Sequence, residues 1–68
     1  MKLKELKYIL GSDNRAIICD AATNKTLEYG CFMWYAFYQY GDCEVCRITS
    51  YYDPAYYIHC FVIRIERS

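Results

Sequence analysis

Long apolar runs are missing from this chain. Charged or strongly polar residues break every stretch before it reaches the roughly 18 apolar residues that a bilayer span needs, so no transmembrane helix and no membrane partner are expected. Charge of one sign is missing as well, since eight Lys and Arg balance eight Asp and Glu. Duplex nucleic acid and anionic membranes are held through positive excess, and duplex nucleic acid is not an expected partner. The basic residues do gather at the two ends, as Lys2, Lys4 and Lys7 and as Arg64 and Arg67, but Glu5 and Glu66 interrupt both groups.

Proline and glycine are scarce, at one and three, and no linker or low-complexity segment is visible, so residues 1–68 read as a single domain. His59 is the only histidine. Nucleophilic catalysis needs a base and an orienting group around the nucleophile, and no local signature supplies them, so no enzymatic activity and no cofactor are expected. The start, "MKLKELKYIL", is charged throughout and lacks the apolar core of a secretory leader. A cytoplasmic location is therefore the expectation. There thiols stay reduced, and the five cysteines, an odd number, do not suggest a complete disulfide framework.

What the chain has in abundance is aromatic side chains. Three Phe, nine Tyr and one Trp each offer roughly 150–250 Å² of surface. A domain of this size buries only about 60% of what its unfolded chain exposes. Some rings must therefore remain outside, and an exposed aromatic patch marks a partner or self-association surface.

Along the chain, Leu3, Leu6 and Leu10 lie at i, i+3 and i+7, one face of a helix that Gly11 would cap, with "GSDN" as the next turn. "RAIICDAA" and "TLEYGCF" read as a β-hairpin around "TNK", with Asn24 suited to the left-handed conformation. In the second of these, Leu27, Tyr29 and Cys31 alternate against Glu28 and Gly30. In "MWYAFYQYG", Trp34, Phe37 and Tyr38 have helical spacing and Gly41 a terminating position, although a strand is also open there, because aromatics have modest helix propensity. "CEVCRITSYY" and "YYIHCFVIRIER" form a second hairpin across Asp53–Pro54, with Phe61, Ile63 and Ile65 as the core face. The expected architecture is α+β: a small antiparallel sheet of about four strands in two hairpins, an N-terminal helix and a possible short central helix.

The stretch "CFMWYAFYQYGDCEVC" raises a metal site, since Cys43 and Cys46 form a CxxC and His59 with Cys60 would complete a zinc set. Strand geometry opposes it, because residues three apart, or adjacent, point to opposite faces. No metal site is assigned, and a zinc-stabilised fold stands third among the readings. Cys31 and Cys46 are expected as core thiols, and His59 as a hydrogen-bonded residue at the edge of the core. The doublets Tyr51–Tyr52 and Tyr56–Tyr57 are each expected to send one ring inward and one outward.

The plan of "MKLKELKYIL", then "AIICDAATNKTLEYG", a short segment and a closing hairpin resembles small accessory proteins of phages and mobile elements in Gram-positive gut bacteria. The resemblance spans most of the chain through short motifs, departs from the pattern in the aromatic segment 32–40 and in the cysteines, and carries over no functional residue. It implies a context, a bacterial host cytoplasm, rather than a chemistry; some such proteins inhibit bacterial defence systems by binding a protein or sequestering a nucleotide signal. The leading expectation is a self-associating (homo-oligomeric) module that inhibits a host defence protein. Its candidate partner-binding residues are Trp34, Tyr35, Tyr38, Tyr40, Tyr52 and Tyr56, aromatics being the favoured interface anchors. The alternative is an oligomeric nucleotide binder using Tyr51, Tyr57, Arg64 and Arg67.

Overall fold

The computed structural model of the chain describes residues 1–11 and 13–67. A 3₁₀ helix, Leu3–Tyr8, precedes strands β1 (Arg15–Asp20) and β2 (Thr26–Phe32), helix α1 (Met33–Tyr40), and strands β3 (Glu44–Asp53) and β4 (Ile58–Glu66). The strands form one sheet in the order β2-β1-β4-β3. This is the α+β class read from the sequence, with both hairpins in place. The sheet is mixed, however, because β1 and β4 run parallel at its centre. Helix α1 carries the chain from the β2 edge to the β3 edge. The return of β4 then lands beside β1 in the same direction. A central strand flanked on both sides needs a continuous apolar run, which "AIIC" supplies: Ala16 to Asp20 are all buried.

Helix α1 and the 3₁₀ helix cover one face of the sheet. Beneath them lie Leu3, Leu6, Ala16, Ile18, Met33, Ala36, Ile63 and Ile65. On α1 the inward stripe is Met33, Ala36, Phe37 and Tyr40, at i, i+3, i+4 and i+7. Of the residues whose spacing marked the helix in the sequence, Phe37 faces the core, whereas Trp34 and Tyr38 are exposed. The N-terminal segment is a 3₁₀ helix, whose period of three stacks Leu3 over Leu6. It ends at Ile9 rather than at Gly11, while Leu10 still packs against the core. Ser12, within the turn expected there, lies outside the described residues.

Among the described residues no layer covers the opposite face, yet it holds a small apolar cluster of Ile17, Cys19 and Cys60 with Val62 beside it. Gly30 takes a φ of +73°, and there β2 inserts an extra residue opposite β1, between the pairs Ala16–Cys31 and Ile17–Tyr29. A bulge of this kind shifts the strand's alternation by one residue, so side chains on its two sides exchange faces. Cys31 consequently packs under α1, while Tyr29, expected to share its face, lies over the open one; a second irregularity, between the pairs Ile18–Glu28 and Cys19–Thr26, returns Leu27 to the core side. Asn24 does adopt the left-handed conformation, at φ 61°.

The N-terminal residues stitch the join between α1 and β3. The Leu3 amide donates to the Cys43 carbonyl at 3.0 Å and the Lys4 amide to the Gly41 carbonyl at 3.0 Å, while the Val45 amide donates to the Met1 carbonyl at 2.8 Å. Lys4 Nζ adds an ion pair with Asp42 at 2.9 Å. Hydrogen bonding within that pair raises the lysine pKa and lowers that of the carboxyl.

Candidate interaction surface

The accessible surface is 4596 Å², close to the roughly 4,500 Å² that area–mass scaling gives for a folded chain of 8.1 kDa. The aromatic surplus has thus not enlarged the surface. On the outer side of α1, Trp34 is 57% and Tyr38 81% exposed, one turn apart and therefore neighbours. Tyr35 meets Trp34 edge to face, with ring centroids 6.1 Å apart, the arrangement aromatic quadrupoles prefer. Tyr40 belongs to the inward stripe instead. Its hydroxyl donates to Glu28 Oε1 at 3.3 Å, and burial together with that carboxylate raises the pKa of the phenol.

The other two candidate partner-binding residues lie on the far edge of the sheet. α1 packs on the 3₁₀ helix, β1 and β2, and leaves Ile48, Ser50 and Tyr52 of β3 exposed. Tyr52 packs against His59, with centroids 4.6 Å apart. His59 is therefore an exposed stacking partner on the Phe61/Ile63/Ile65 face, rather than a hydrogen-bonded residue at the core's edge. Tyr56 and Tyr57 belong to the β3–β4 turn and not to a strand. They are 72% and 83% exposed, and Tyr57 has a φ of 55°. Neither ring of that doublet points inward. Tyr51 and Tyr52 do face opposite ways, Tyr51 opposite Cys60 and Tyr52 opposite His59, but β3 is an edge strand and both rings remain exposed.

The residues of the nucleotide-binding alternative are dispersed. Tyr51 and Arg64 share the open face of the sheet, where the Arg64 guanidinium donates to Asn24 Oδ1. Tyr57 occupies the turn tip. Arg67 pairs with Asp20 at 3.2 Å and lines a pocket of about 270 Å³ with Ala22, Asp42, Glu44 and Glu66. Three carboxylates against one guanidinium make that pocket a poor seat for a phosphate. Among the described residues, no group of three His, Cys, Asp or Glu side chains is placed to hold a metal ion. Cys43 is partly buried against the core. Cys46 is the extra residue of a bulge between Val45 and Arg47 and is exposed, so it is not the core thiol that the strand pattern suggests.

A polar bridge on the open face was invisible in the sequence. The Tyr29 hydroxyl donates to Asp53 Oδ2 at 2.8 Å, and the Ala55 amide donates to Asp53 Oδ1 at 2.9 Å, which closes the turn with a buried carboxylate. The hydrogen bond to Asp53 is the main reason that the Tyr29 pKa is pushed up to about 12. A raised folded-state pKa contributes stability that is complete below the unfolded phenol's value, near 10. That stability declines as pH rises from there through the folded value. Tyr29→Phe is therefore expected to lower the thermal midpoint at neutral pH and to remove the highest-pH step from the tyrosinate absorbance titration. An unchanged titration would show that the bridge does not form.

Comparison of the chain with family models, with curated proteins and with solved structures gives no match. No helix is long and apolar enough to cross a membrane among the described residues.

Proposed function

We propose that this chain is a non-enzymatic binding module that captures a partner protein on the outer face of α1. The observation that carries the reading is the pair Trp34 and Tyr38, solvent-exposed on a helix whose opposite side is core. Met33 and Ala36 take the buried positions of the helix and leave these two rings outside. Trp and Tyr are the residues most enriched among interface anchors, and their two χ angles cost little entropy when a partner orders them. Inhibition of a bacterial defence protein is the specific form implied by the likeness to phage accessory proteins.

The test uses the double variant Trp34→Ala/Tyr38→Ala. Surface truncations of this kind are expected to change folding stability by no more than about 0.5 kcal/mol each. Partner capture from a bacterial host lysate, read by cross-linking and mass spectrometry, is expected to fall at least tenfold. Equal capture by the wild type and the variant would remove α1 from the interface. Trp34 is the sole tryptophan, so a blue shift of its emission on adding the captured protein provides an independent reading.

A further inference from the structure

We infer that two copies of this chain pair through the outer edge of β3, antiparallel about a two-fold axis at Ser50, and so join their sheets into one of eight strands. This goes beyond the reading of α1 and does not depend on it.

β3 is an edge strand with β4 on its inner side only. On its outer side, Met1 and Lys2 occupy just the first two positions, through the Val45 amide and the Lys2–Glu44 bridge. From Arg47 to Asp53, nothing pairs with that outer edge among the described residues. An open edge offers a row of unpaired amides and carbonyls, and proteins usually blunt it with Lys, Pro, a bulge or a short strand. β3 is ten residues long and contains neither Lys nor Pro. Its one bulge lies at Cys46, before the free segment begins.

The free segment is complementary to itself. Residues 47–53 have their midpoint at Ser50, and a two-fold axis there, perpendicular to the sheet, keeps each side chain on its own face. Arg47 then stands opposite Asp53 of the second copy, Ile48 opposite its Tyr52, and Thr49 opposite its Tyr51. Each pairing occurs twice by symmetry. These are opposite-charge and β-branched–aromatic pairs, the combinations that stabilise neighbouring strands. The Asp53 carboxylate is buried and engaged by Tyr29 and Ala55, so Arg47 of the second copy is drawn to its charge rather than to a free hydrogen-bond site. With a formal net charge of zero, the chain raises no overall repulsion against its own copy.

Native mass spectrometry and light scattering of the full chain are expected to show a dimer, with Ile48→Lys and Arg47→Asp each raising its dissociation constant at least tenfold. Circular dichroism of each variant establishes that it remains folded. In a Cys46→Ser background, Ser50→Cys is expected to give a disulfide-linked dimer under mild oxidation. Ile48→Cys is not, since the register offsets Ile48 from its own copy by four residues, about 13 Å. A chain that stays monomeric up to ~1 mM, the weak end of specific association, overturns the pairing. So does a dimer that Ile48→Lys leaves intact, or one that cross-links equally at both positions. Trp34→Ala/Tyr38→Ala is expected to leave the dimer unchanged, and its dissociation in that variant would place self-association on α1 instead. A wild-type chain that captures its partner yet forms no dimer would sink this inference alone.

Discussion

Ile63→Ala is expected to remove about 2–5 kcal/mol of folding stability, the range for emptying a fully buried aliphatic site. Ile63 is completely buried and sits in β4 between Ile18 of β1 and Ile48 of β3. Its neighbours are held by ladders on both sides, so the cavity has little means of collapsing. A domain of 68 residues has a total stability of roughly 3–10 kcal/mol, and the expected loss is a large fraction of it. Urea unfolding followed by circular dichroism should show a much lower midpoint with an unchanged slope, the mark of lost stability without a change in exposed surface. Ile9→Ala serves as the control. Ile9 is exposed and lies outside the β3 edge, and its truncation should cost less than about 1 kcal/mol. Equal losses at the two positions would mean that the core does not lie where the structure places it.

Gly41→Ala is expected to be the most damaging single-methyl addition, at about 1–3 kcal/mol, typical of overpacking. Gly41 ends α1 in the ordinary right-handed conformation, at φ −58° and ψ −30°. Glycine is therefore not required there by a left-handed cap, which is the role that its position in the sequence suggests. Space requires it. A Cβ there would lie 2.3 Å from the Phe37 carbonyl oxygen and 3.2 Å from Lys4 Cβ. Neither neighbour yields easily: Phe37 packs against the core, and the Lys4 amide is bonded to the Gly41 carbonyl itself. An alanine gains about 0.4–1 kcal/mol by stiffening the unfolded chain, less than the clash costs. Gly11→Ala makes the comparison direct, since its added Cβ would meet only Asn14 Nδ2, at 3.6 Å. That variant should be near neutral, and a Gly41→Ala protein as stable as the wild type would refute the close approach.

The two proposed surfaces are separate in the fold. The aromatic face belongs to α1, over β1 and β2, whereas the free backbone edge belongs to β3 at the other side of the sheet. A dimer joined through β3 would carry two copies of the α1 face and leave both uncovered. Partner capture by such a dimer gains from linkage of its two sites wherever the partner presents two epitopes.

Composition and local pattern determined much of this protein. The apolar run at 16–19, the alternation of Phe61, Ile63 and Ile65, the left-handed Asn24 and the Asp53–Pro54 turn are consequences of side-chain period and backbone preference. Each acts within a few residues, and hence the hairpins and the α+β class could be read directly. Tertiary structure decided the rest. Residues 33–40 are aromatic-rich and indifferent between helix and strand in isolation. They became a helix because Met33, Ala36, Phe37 and Tyr40 fit the sheet, and that choice turned Trp34 and Tyr38 outward. Gly30 bent β2 and moved Tyr29 to the open face, where it found Asp53, 24 residues away. The parallel pairing of β1 with β4 joins segments more than forty residues apart, and no local preference encodes it. The exposure of Cys46 and of the β3 edge depends on which strands lie outermost. That order is set by how the whole chain closes over its core, and no short stretch contains it.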